Sequence, residues 1–188
     1  METEELELLR SEYGRHKEIP AKYEEVILTA LSHYPELKET RITFRLIKEH
    51  NVPYCTSPAT KSIFAQPYDR EYVVSILEEA EAPMFYALFK NLTREAQLGV
   101  LAHEIAHVEQ YNSLSRGELI KFMACYLIPS FQQKIEQAAD MAAIIHGFGK
   151  ELLEHAIYIR CIPGYTEERK EINKNYLKPN EILNYLPE

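Results

Sequence analysis

The sequence predicts an α+β fold, mainly helical, with a small sheet of about three strands placed before one long central helix. Three observations lead there. The alternation of polar and apolar residues over Arg41-Ile42-Thr43-Phe44-Arg45-Leu46 is a strand signature. Apolar or small residues at Ala96, Val100, Ala106 and Val108, behind a Thr93 cap, mark a helix that no proline interrupts. Finally, 188 residues of which 46% are hydrophobic can bury one sizeable core, so residues 1–188 are expected to form a single domain.

Taken in order, residues 1–14 and 20–31 read as helices, the second opening near Pro20 and closing before His33-Tyr34-Pro35. The strand at 41–46 follows. Residues 51–60 contain two prolines and read as a loop. Residues 61–65 and 71–77 are expected to be short strands joined by Gln66-Pro67-Tyr68-Asp69, completing the sheet. A helix over 94–112 and another over 117–128 come next, with Pro129 a break or kink before a helix carrying Glu136. Gly147 and Gly149 are expected to end that helix. The tail from Pro163, with Pro179 and Pro187, holds one or two short helices that wrap the body.

Composition narrows the function classes. A net charge of −8 offers no basic stripe for phosphates, which argues against nucleic-acid binding. The longest apolar stretches, around 122–128 and 138–145, are too short for a membrane-spanning segment. Met1-Glu2-Thr3-Glu4-Glu5 lacks the basic start and apolar core of a secretory signal, so a cytoplasmic location is expected. Cys55, Cys125 and Cys161 are odd in number and far apart, which disfavours a disulfide scaffold, and Cys125 reads as a small core residue. Thirteen tyrosines without a tryptophan are read mostly as partly buried rings with wet hydroxyls.

The chemistry concentrates in His103-Glu104-Ile105-Ala106-His107. Residues four apart on a helix lie one above the other, so both imidazoles aim at one point, and two neutral nitrogens suit Zn²⁺. Glu104 follows the first histidine around the edge of that face, where it would approach a water at the metal and take its proton. Gly99, one turn earlier, lowers helix propensity but permits close approach of a neighbouring backbone.

A zinc site that acts on substrate needs a third protein ligand and one open position. The longer pattern HExxHxxGxxH fails here, because Gln110 and Ser113 stand at its glycine and histidine positions. The third ligand is therefore expected to be acidic, with Glu109, Glu118 and Glu136 as candidates. Glu136 stands out because Glu136-Gln137-Ala138-Ala139-Asp140 puts two carboxylates on one helical face. Ala138, Ala139, Ala142 and Ala143 would let two helices approach closely. Asp140, one turn on, is placed to accept the free N–H of a ligating histidine.

Leu101-Ala102-His103-Glu104-Ile105-Ala106-His107, followed by Glu136-Gln137-Ala138-Ala139-Asp140 and the run to Gly147-Phe148-Gly149, resembles the catalytic core of the gluzincin metallopeptidases, most closely the M48 (Ste24/HtpX-like) family. The resemblance spans roughly residues 68 to 150 and implies a zincin-like metallopeptidase domain. It implies that His103, His107 and Glu136 bind zinc, that Glu104 is the general base and that Asp140 supports a ligating histidine. Ala106 replaces the glycine common before the second histidine in that family, and the chain lacks the membrane-spanning segments of many relatives. By the same resemblance, the strand at 71–76 is expected to form the upper rim of a cleft that pairs with an extended substrate.

The expected reaction is internal cleavage of peptides or unfolded protein. Stabilising its oxyanion needs a further group, with His146, His155 and Tyr158 as candidates. Two alternatives stand beside it: a noncatalytic protein-binding domain in which zinc staples helices, and a zinc hydrolase of a small nonpeptide amide with a closed pocket.

Overall fold

Four short strands form one mixed sheet in a computed structural model that describes residues 3–162 and 173–187. The strands are β1 (Lys17–Glu18), β2 (Arg41–Ile47), β3 (Tyr54–Pro58) and β4 (Glu71–Leu77), in the order β1-β2-β4-β3. β1 and β4 run parallel to β2, while β3 lies antiparallel to β4 with Tyr54 opposite Ile76 and Pro58 opposite Tyr72. The alternation that predicts β2 has its physical meaning here, since Ile42 and Phe44 are buried and their neighbours Arg41 and Arg45 face solvent. β4 is interior and buries Tyr72, Val74, Ser75, Ile76 and Leu77.

The sheet departs from the sequence expectation in three places, the first being β1, a two-residue strand where none is expected. Residues 51–60 supply a strand, β3. Its closing proline costs little because β3 is an edge strand, with no strand beyond it among the described residues. Residues 61–65 are not a strand. A 3₁₀ turn spans Thr60–Ser62, and Ser62 Oγ donates to the carbonyls of Ala59 and Glu71 while accepting the Glu71 amide, which diverts this segment from sheet pairing. The expected cleft strand at 71–76 is likewise corrected: it lies between β2 and β3, so both its edges are taken.

The helices are α1 (Thr3–Tyr13), α2 (Glu24–Leu31), α3 (Arg94–Asn112), α4 (Arg116–Cys125), α5 (Pro129–Ala143), α6 (Gly149–Arg160) and α7 (Pro179–Leu183). Thr93 caps α3 by accepting the Ala96 amide, as its position predicts. α3 contacts α2, α5, α6, β3 and β4, and an unbroken run from Leu98 to Val108 is buried. Gly99 explains part of this. A β-carbon there would lie 2.4 Å from the Glu151 carbonyl oxygen, so only glycine lets α6 pack this closely on α3. α5 approaches through Ala139 and Ala143, both fully buried; Ala138 is exposed and Ala142 half-buried.

Pro129 marks the expected break: α4 ends at Cys125 and Pro129 is the first residue of α5, where its missing N–H costs nothing. α5 leads into a widened π turn, Ile144–Phe148, in which Gly147 takes φ 92°. Gly149 opens α6 instead of closing α5. Much of the expected tail, residues 163–172, lies outside the described residues; α7 follows it. Among the described residues no helix is long and apolar enough to cross a membrane. All three cysteines are free, and Cys125 is half-buried rather than a core residue.

Candidate metal centre

α3 and α5 together bring His103, His107 and Glu136 to one buried point. The two Nε2 atoms are 3.1 Å apart, and Glu136 Oε2 lies 3.2 Å from His103 Nε2 and 3.4 Å from His107 Nε2. Donors held about 2.1 Å from one tetrahedral ion stand about 3.4 Å from each other, so the three atoms have the mutual spacing of a ligand set. This is the arrangement that the four-residue spacing on α3 and the pairing with Glu136 predict.

Each of these three side chains is held from behind. Asp140 Oδ1 is 2.8 Å from His103 Nδ1, and a carboxylate only accepts, so Nδ1 carries a proton and Nε2 is the nitrogen turned toward the centre. The other Asp140 oxygen accepts the Leu177 amide at 2.7 Å. Gln110 does the same for His107: its Nε2 donates to the Ile135 carbonyl, which turns Oε1 to the His107 Nδ1–H at 2.9 Å. The Tyr126 hydroxyl donates to Glu136 Oε1, so one carboxylate oxygen is anchored and the other faces the imidazoles.

The electrostatics suit a cation. Burial opposes charge on His103, yet the bonds to Asp140 and Glu136 raise its pKa well above the usual imidazole range. Burial by itself would raise Glu136, but His103 and His107 hold it well below the usual carboxylate range. Burial, then the Glu136 charge, push the Tyr126 phenol up, so it stays a donor. A buried cluster of two imidazoles and a carboxylate, with a second carboxylate behind it, is a set able to coordinate a metal ion.

Comparison of the chain with protein-family models, curated proteins and solved structures finds no match. The site must therefore speak through its own chemistry.

Glu104 is buried next to this group without being part of it. Thr56, on β3, sets its direction: the hydroxyl lies 2.7 Å from Glu104 Oε2 and 3.0 Å from the Glu104 carbonyl. A cavity of about 380 Å³ opens on His103, Glu104 and Asp140, and its other walls are largely apolar, with Val100, Leu152, Ala156 and Ile182 among them. Tyr176 lines it too, its ring 5.4 Å from that of His103.

The remaining candidates scatter. Glu118 caps α4 in a capping box with Ser115, and Glu109 meets His146 in a different cluster, so neither competes with Glu136. The Tyr158 hydroxyl is spent on the carbonyls of Tyr86 and Asn91. His155 lines the cavity, but its Nε2 is buried without a hydrogen-bond partner among the described residues. Burial, helped by the charges on His103 and Arg160, pushes its pKa down to about 3. Thr56, Tyr126 and Tyr176 carry no local pattern, whereas Gln110 has one, standing three residues after His107 on the same helix.

Proposed function

We propose that this chain is a zinc-dependent metalloendopeptidase of gluzincin type, with a zincin-like architecture and Glu104 as its general base. The observation that carries this reading is the position of Glu104: outside the ligand group, beside it, aimed by Thr56 and facing the cavity. A structural metal staple needs no such carboxylate. His103, His107 and Glu136 would hold the ion, and three protein ligands leave a position open. Zinc, when bound, supplies Lewis acidity toward the scissile carbonyl and toward water. Glu104 takes the proton from the attacking water and returns it to the leaving nitrogen, while Thr56 keeps the carboxylate oriented throughout.

Substrate would lie along β3 rather than along residues 71–76. β3 is one of the two edges of the sheet, it contacts α3, and its Thr56 already reaches Glu104. An extended peptide can satisfy such an edge with its own backbone groups.

One observation favours a second reading. The cavity beside His103 is at the small end of ligand pockets, a size that fits a zinc hydrolase of small nonpeptide amides. Cleavage of a broad peptide library by the zinc-loaded chain and by Glu104→Gln decides between them. The variant should keep its zinc and lose about 100- to 10,000-fold in rate. Equal rates would refute Glu104 as the base, and no peptide cleavage by either form would move the assignment to the amide hydrolase or the zinc staple.

A further inference from the structure

On the far side of α3 a second set of ligand atoms converges. Glu109 follows His107 by two residues, which at 100° per residue turns it about 200° away from the buried centre. Its carboxylate meets Glu36, from the 3₁₀ turn Pro35–Leu37, and His146, from the π turn after α5. One ligand atom from each lies within 4.8 Å of the others.

His146 is built to present one nitrogen to that point. Its Nδ1 lies 2.7 Å from the His33 carbonyl, which only accepts, so Nδ1 carries the proton and Nε2 faces the carboxylates. The contact is returned, with His33 Nδ1 donating to the His146 carbonyl at 2.8 Å. The imidazole also stacks at 3.9 Å on Tyr34, whose fully buried ring is fixed by its hydroxyl donating to the Ala102 carbonyl. With its side chain only 18% exposed, His146 is a fixed donor rather than a mobile surface group. Gly147, at φ 92°, permits the turn that places it.

The spacing separates a metal from a proton. His146 Nε2 is 3.4 Å from Glu109 Oε2 and 3.7 Å from Glu36 Oε1. A charge-assisted N–H···O bond would close to about 2.7–2.9 Å. Two donors sharing an ion at about 2.1 Å stand about 3.4 Å apart. Moreover, among the described residues neither Glu36 nor Glu109 is paired with a lysine or arginine, so two carboxylates converge on one imidazole with no cation to balance them.

We propose that Glu36, Glu109 and His146 form a peripheral site for a divalent transition-metal cation of the zinc type. One nitrogen and two carboxylates match such ions, with water completing the shell because both glutamates are half-exposed. An ion here ties the π turn to the outer face of α3 and to the turn after α2. It binds more weakly than the buried centre, whose side chains are held from behind.

The test is a calorimetric titration of the metal-free full chain with Zn²⁺. The wild type should take up two equivalents in a tight and a weaker step. The pair Glu36→Gln with Glu109→Gln, which keeps the imidazole and its stack, should lose the weaker equivalent and keep the tight one. Glu136→Ala should do the reverse, so the two centres fail independently, and this inference does not rest on the peptidase reading. A wild type that saturates at one equivalent, or a double glutamine variant that still takes up two, overturns it.

Discussion

Each residue of the buried centre has one job on each polar atom, and Asp140 shows why that matters. One of its oxygens fixes the tautomer of His103 and the other holds the Leu177 amide, so the carboxylate links a ligand to the C-terminal segment. Asp140→Ala should weaken zinc binding by about 10- to 100-fold, measured by competition with a chelator. An unchanged affinity would reduce Asp140 to a tether for Leu177. His155 makes a different residue-scale prediction. Its pKa, about 3 in the fold, lies below the ordinary 6.5, so on acidification the unfolded chain takes up a proton that the folded chain refuses. Stability contributed by His155 is present above pH 6.5 and falls as the pH drops toward 3. Between pH 6.5 and 5 the loss is on the order of 2 kcal/mol. Denaturant unfolding at both pH values should show this loss in the wild type and a smaller one in His155→Leu; equal losses would refute it. At this scale the sequence made the candidate ligands legible and their supports less so. His103, His107, Glu136 and Asp140 are readable because each pair sits four apart on one helix. Thr56 and Tyr126 come from a strand and a helix end, where no spacing points at a metal.

Among the elements, α3 was readable to the residue because cap, periodicity and absence of proline all agree at Arg94–Asn112. The strands were not. Proline at 53 and 58 argues for a loop in a local reading, and only the position of β3 at the sheet edge makes the prolines harmless. The turn at Thr60–Ser62 is dictated by Ser62 reaching Glu71, a contact nine residues long that alternation cannot reveal. Gly99 puts local propensity and packing in direct opposition. Glycine to alanine inside an exposed helix gains about 1 kcal/mol. Here the new methyl would meet the Glu151 carbonyl at 2.4 Å and the Leu152 nitrogen at 2.8 Å, both backbone, so α6 must retreat. Gly99→Ala should therefore destabilise the chain by about 1–3 kcal/mol in chemical denaturation. A variant as stable as the wild type, or more so, would show that the close approach of α6 to α3 is not a constraint.

For the molecule as a whole, the buried centre is where its layers meet. α3 supplies two candidate ligands and rests on β3 through Thr56, α5 supplies the third, the α4–α5 link anchors it through Tyr126, and Asp140 ties in the C-terminal segment. A zinc ion bound there links elements far apart in sequence, and the unfolded chain has no such site to offer. Binding the folded state alone stabilises it by about 4 kcal/mol when free zinc is a thousandfold above its dissociation constant. For a chain of this size that corresponds to a rise in Tm on the order of 10 °C. Thermal unfolding followed by circular dichroism should show the gain on adding zinc to chelator-treated protein and its loss on renewed chelation. Glu136→Ala should keep the helical spectrum and respond far less. If the wild type binds zinc at this site yet unfolds at the same temperature with and without it, the unfolded chain must bind zinc as tightly as the folded one, and the joining of α3 to α5 is not what creates the affinity.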